Sequence, residues 1–62
     1  MRKSIYLTRS INSGEIITEK DLSLKCPYLK NAYNGQNYFD IIGKEIQSSK
    51  KKEDPLFIND IN

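Results

Sequence analysis

The stretch SINSGEIITEKDL at residues 10–22 has a loose echo 39 positions on, SKKKEDPLFINDI at residues 49–61. Ser10 matches Ser49, Glu15 matches Asp54, Ile17 matches Leu56, Asp21 matches Asp60 and Leu22 matches Ile61. Two copies cannot make a stacked array, because inner units bury their faces only when about three or more repeats are present. A chain this short buries only about 60% of its unfolded surface, so its core must be small. The echo therefore predicts two similar half-domains packed across a pseudo-dyad, sharing a core that neither builds alone. One domain over residues 1–62 follows.

Local signals fill in the halves. Residues 4–7, Ser-Ile-Tyr-Leu, are strand formers closed by polar residues 8–10. Residues 12–14 are a turn signal, with Gly14 placed to take a positive φ. Thr18, with Asp21 three residues on, predicts a capped single helical turn ending near Leu22. Residues 22–25 alternate apolar and polar as in a half-buried strand, stopped by Pro27. Residues 28–37 form the longest irregular stretch, with a tight turn expected at Asn34-Gly35. Residues 38–42 predict a short helix stopped by Gly43, with Phe39 and Ile42 sharing a face. A strand near Ile46, a lysine turn, an apolar segment from Pro55 and a last single turn at residues 59–61 complete the second half.

The composition excludes much chemistry. Histidine is absent and Cys26 is the one cysteine, so no familiar zinc ligand set and no Ser-His-Asp arrangement exists. There is no Gly-rich phosphate loop. The carboxylates Glu15, Glu19, Asp21, Glu53, Asp54 and Asp60 fall in expected turns and read as solvated caps. A net charge of +2 from scattered residues argues against nucleic-acid binding, and the run Lys50-Lys51-Lys52 reads as a solvated turn. Tyr28, Tyr33 and Tyr38 lie near Lys25 and Lys30, but four tyrosines in so small a chain suit the edge of a core better than a base-stacking platform. A lone cysteine beside proline is expected to be buried. With no disulfide, no membrane-length apolar run and no apolar segment after Arg2-Lys3, the expected setting is cytoplasmic, away from membranes.

The run Arg2-Lys3-Ser4-Ile5-Tyr6, then Ile11-x-x-Gly14-Glu15-x-Ile17-Thr18-Glu19-x-Asp21-Leu22, then Lys25-x-Pro27, then Ile41-Ile42-Gly43-Lys44, resembles the SAF domain that ends bacterial and animal sialic acid synthases. It is also similar in spacing to type III fish antifreeze proteins. The resemblance covers nearly the whole chain. It implies a mostly β fold, the β-clip, built of short strands and single helical turns with internal pseudo-two-fold symmetry.

In those synthases the domain follows a TIM barrel that condenses phosphoenolpyruvate with an N-acyl hexosamine, using a divalent metal. The domain crosses over in a dimer to cover its neighbour's active site. The resemblance thus implies an accessory domain with no catalytic residue and no cofactor of its own, whose partners are the TIM barrel of its own protein, that of a dimer partner, and the sugar acceptor. Family members carry Lys-Arg-Pro and then a Gly-x-Gly-Ile-like loop, the arginine reaching the acceptor's N-acyl group. Here the residues are Lys25-Cys26-Pro27 and then Tyr28-Leu29-Lys30-Asn31. A thiol lacks guanidinium's five-donor fork, so ammonium groups must replace it if the contact is kept. Substrate binding is accordingly expected at Lys25, Cys26, Lys30 and Asn34. Two other roles fit the family: a binding or chaperone module of flagellar or pilus assembly, and ice binding, which the long charged side chains of Arg9, Glu15, Glu19 and Lys20 oppose.

Overall fold

A computed structural model describes residues 2–61. Strand β1, Ser4–Leu7, pairs antiparallel with strand β2, Leu22–Lys25, in the register Ser4 with Lys25 through Leu7 with Leu22. The rest is woven from isolated bridges, three 3-10 turns and helix α1, Tyr38–Ile41. One apolar cluster lies inside, formed by Ile5, Leu7, Ile11, Ile17, Leu22, Ile41, Ile46, Leu56 and Ile61. Both copies of the echo contribute to it, which is what a shared core requires.

Backbone hydrogen bonds show the pseudo-dyad directly. Ile11 and Lys50 are equivalent positions of the two copies, and they exchange bonds: Ile11 N donates to Lys50 O at 2.9 Å and Lys50 N to Ile11 O at 2.8 Å. The axis passes between them. Around it, Gly14 N donates to Ile46 O as Glu53 N does to Leu7 O, both at 2.9 Å. Ile17 N donates to Lys44 O as Leu56 N does to Ile5 O, again both at 2.9 Å. The matched serines act alike, Ser13 N donating to Ser49 Oγ at 3.0 Å and Lys52 N to Ser10 Oγ at 3.1 Å.

Each copy ends in a capped turn. In the first, Glu19–Asp21, Thr18 N and Thr18 Oγ1 donate to Asp21 Oδ2 at 2.9 and 3.0 Å. In the last, Ile58–Asp60, Phe57 N donates to Asp60 Oδ2 at 2.8 Å. The expected caps are present, but they are not solvated: Asp21 is 3% and Asp60 8% exposed. Each carboxylate is drawn inward because backbone donors and a cation meet it there, Arg9 Nε at 2.7 Å from Asp21 and Lys50 Nζ at 2.9 Å from Asp60. Lys50 therefore leaves the expected solvated lysine turn, while Lys51 and Lys52 stay exposed.

Three further local expectations are corrected and one is given its form. Helix α1 stops before Gly43 at φ 91° as expected, yet it seats Ile41 in the core and leaves Phe39 79% exposed, its ring edge-on to Tyr38. The strand near Ile46 is reduced to a bridge between Ile16 and Glu45. The tight turn expected at Asn34-Gly35 takes the form of the 3-10 turn Gly35–Asn37, with Asn34 Oδ1 accepting from Gln36 N at 2.8 Å and Asn37 Oδ1 accepting from Asn34 N at 3.2 Å. Cys26 is exposed rather than buried, one residue beyond the last paired position of β2.

Candidate functional site

Ser4 organises one end of the molecule. Fully buried at the start of β1, it pairs with Lys25 of β2, bridges to Asn34, and its Oγ accepts from Leu29 N at 2.8 Å. Three chain segments therefore converge there. Tyr6 adds an anchor, its hydroxyl donating to Pro27 O at 2.9 Å. The result is a cleft of about 390 Å³ lined by Arg2, Lys3, Tyr28, Asn34, Gly35 and Gln36.

The four expected site residues are distributed unevenly around it. Asn34 lines the cleft, although its side chain is already engaged in capping. Lys25 and Cys26 are not in the lining; Lys25 ends β2 and Cys26 follows it. Lys25 is ion-paired with Glu53, whose carboxyl is held below its usual range by the Lys25 hydrogen bond first and the Lys25 charge second. The Cys26 thiol lies 3.9 Å from Arg2 O, so position 26 and Arg2 are neighbours across the chain. Lys30 is exposed and is not part of the lining.

Sequence reasoning missed Arg2, Lys3, Tyr28 and Gln36 as site residues. The Arg2 guanidinium lies over the Tyr28 ring at 5.6 Å from its centroid, a cation–π contact that holds a long side chain in place. The missing signal was register. Once Ser4 is set opposite Lys25, the residues before Ser4 must continue past Cys26 and Pro27 toward Tyr28.

A second cleft of about 460 Å³ is lined by Asn31, Phe57, Ile58, Asn59 and Asp60. Its charges are answered internally, Lys50 reaching Asp60 and lying 4.8 Å above the Phe57 ring. The first cleft differs in having Arg2 and Lys3, which no carboxylate among the described residues meets. Among the described residues no three of His, Cys, Asp and Glu are grouped to hold a metal ion, and no helix is long and apolar enough to cross a membrane.

The family model of the SAF domain matches residues 2–62. This chain belongs to the SAF domain family. Two solved structures have this SAF fold at low identity. One is an antifreeze protein-like domain in the human N-acetylneuraminic acid phosphate synthase gene, with TM-score 0.85 and 22% identity over 95% of this chain and 73% of that one. The other is a putative spore coat polysaccharide biosynthesis protein E from Chromobacterium violaceum, with TM-score 0.85 and 16% identity over 98% of this chain. The SAF chain spans 18% of that second protein. No curated protein matches it significantly. The family expected from the sequence, and the β-clip it implies, are thus correct, and the triplet Lys25-Cys26-Pro27 leads directly into Tyr28 of the cleft lining.

Proposed function

We propose that this SAF domain is the terminal accessory domain of a sialic acid synthase-like transferase, working in the cytoplasm as one domain over residues 1–62. In this reading it covers the active site of a partner subunit's TIM barrel, excludes water there and helps hold the sugar acceptor. A lid of this kind raises the rate by strengthening electrostatic interactions inside the closed site and by orienting the reactant, without forming or breaking a bond itself. The condensation, and the divalent metal it uses, belong to the barrel.

The observation that carries the reading is the composition of the cleft. Arg2, Lys3, Tyr28, Asn34 and Gln36 offer donors and an aromatic face and contain no nucleophile paired with a base, so the surface is built to hold a ligand rather than to transform one. Lys25 and Cys26, at the end of β2, are the positions at which the resemblance puts acceptor contact. The two structural neighbours, one from an N-acetylneuraminic acid phosphate synthase gene and one a putative spore coat polysaccharide biosynthesis protein, point the same way.

The test is kinetic, in the barrel-bearing enzyme. Lys25→Ala and Tyr28→Ala should each raise KM for the N-acyl hexosamine about tenfold, the effect of losing one charged or stacking contact, with KM for phosphoenolpyruvate unchanged. Cys26→Arg should lower the acceptor KM. Acceptor kinetics indifferent to all three substitutions would remove this end of the domain from the site.

A further inference from the structure

We infer that Glu53 is a positioning residue for Lys25: it holds the Lys25 ammonium in place at the end of β2, so that the donors left over meet the acceptor's N-acyl oxygen. This rests on the acceptor-binding reading and adds to it a residue from the other side of β1.

Backbone strain is the first observation. Glu53 has φ 73° and is the one non-glycine residue with a positive φ among those described. Its equivalent in the first copy is Gly14, at φ 93°. Glycine takes this conformation freely, whereas a Cβ is penalised there. The turn itself has no need of the Glu53 side chain. Its bonds come from Glu53 N donating to Leu7 O and Lys51 N donating to Asp54 Oδ2, both at 2.9 Å, and glycine at position 53 would keep them. A strained residue held where glycine would serve points to a task for its side chain.

The destination of that side chain is the second observation. Strand β1 runs between two neighbours, Tyr6 pairing with Ser23 of β2 on one side and bridging to Pro55 on the other. Glu53 belongs to the Pro55 side and Lys25 to β2, and the two side chains meet as an ion pair across β1. With the lysine 42% and the glutamate 56% exposed, the pair adds little to stability. Its effect is on order. A lysine has a flexible four-carbon stem, and fixing it before the ligand arrives removes part of the entropy lost on binding. An ammonium has three donors; the Glu53 carboxylate takes one, and the exposure of Lys25 leaves the others open. Cys26 supplies no guanidinium, which makes Lys25 the cation whose placement matters here.

The experiment uses the barrel-bearing enzyme for kinetics and the 62-residue chain for thermal unfolding. Glu53→Gly should raise KM for the N-acyl hexosamine about fivefold, the effect of leaving one long side chain unfixed, while kcat and KM for phosphoenolpyruvate hold. Glu53→Gln, which keeps the side chain's length and loses its charge, should fall between Glu53→Gly and the parent. On a Lys25→Ala background Glu53→Gly should raise KM no further, since the two residues act as a unit. The unfolding temperature of Glu53→Gly should be equal or higher, so that binding weakens in a domain that is no less stable.

An unchanged acceptor KM in Glu53→Gly, with Lys25→Ala still raising it, overturns the positioning role and leaves the acceptor reading intact. A further fivefold rise on the Lys25→Ala background also overturns it, because Glu53 would then act without Lys25. A lower unfolding temperature in Glu53→Gly overturns it as well, by giving the side chain a structural reason to be there. If Lys25→Ala itself leaves the acceptor KM unchanged, the acceptor reading of this position and the positioning role fall together.

Discussion

The two copies, residues 10–22 and 49–61, share a backbone plan and differ in how side chains support it. In the first, the left-handed position is Gly14; in the second, its equivalent is Glu53, at φ 73°. In the first, the buried carboxylate Asp21 is met by Arg9, whose side chain is 47% exposed; in the second, Asp60 is met by Lys50, only 13% exposed. The symmetry therefore resides in main-chain hydrogen bonds, which any sequence can make, and the side chains were free to diverge around it. The candidate site lies where symmetry is broken. Tyr28, Asn34, Gly35 and Gln36 belong to the connection between the copies, and so the symmetric halves form the scaffold while the connector, with Arg2 and Lys3, forms the cleft.

The core is where the halves should behave most alike. Ile17→Ala and Leu56→Ala truncate equivalent, fully buried side chains, and each should cost about 4 kcal/mol by the transfer and cavity terms. Denaturant unfolding measures both; costs differing by more than about 2 kcal/mol, beyond the ordinary scatter of such substitutions, would break the symmetry of the shared core. The ion pairs should separate the halves instead. Lys50 is sheltered, so Asp60→Ala strands a half-buried ammonium and should cost about 3 kcal/mol. Arg9 is half in water, so the matching change Asp21→Ala leaves a guanidinium that water can solvate and should cost less, about 1 kcal/mol for the lost cap. The same denaturation curves compare them, and equal costs would mean that burial does not set the difference.

The left-handed positions sharpen the contrast. Gly14→Ala should destabilise by about 1 kcal/mol or more, whereas Glu53→Gly should stabilise by about 1 kcal/mol, despite losing the exposed pair with Lys25. A lower unfolding temperature for Glu53→Gly would show that this ion pair outweighs the backbone strain. The smallest effect concerns acid. Burial pushes the Asp21 carboxyl up, but hydrogen bonds from Arg9 and from the Thr18 amide and hydroxyl outweigh it, and its pKa lies below the ordinary carboxylate value. A pKa lowered by folding gives stability that is present above the unfolded value, near about 4, and is lost as pH falls through the lower folded value. Asp21→Asn should accordingly flatten the fall in stability below about pH 4, read as unfolding temperature against pH. An unchanged acid limb would remove Asp21 as its source.

Much of the fold was legible because its signals are local. Gly14, the Thr18 cap with Asp21, the strand at Ser4–Leu7 and the stop at Gly43 each act within a few residues, and each is where the sequence put it. What failed depended on contacts distant in sequence. Asp21 and Asp60 read as solvated because their cations come from residues 9 and 50, and burial of a carboxylate follows from the partner rather than the residue. Phe39 read as inward because periodicity cannot say which face of a one-turn helix meets the core. Glu53 gave no turn signal of its own; only its alignment with Gly14 exposes the positive φ. Of the residues that line the cleft, Asn34 was expected from the family resemblance, whereas Arg2, Lys3, Tyr28 and Gln36 needed the pairing of Ser4 with Lys25 and Asn34.

The central claim is that neither half can fold without the other, and a peptide of residues 1–25 tests it most directly. That peptide keeps β1, β2 and the first capped turn but lacks Ile41, Ile46, Leu56 and Ile61 from the core. Its amide NMR spectrum should collapse to the narrow dispersion of an unfolded chain and regain native shifts when the peptide of residues 26–62 is added. A well-dispersed, cooperatively melting spectrum from residues 1–25 alone would contradict the account.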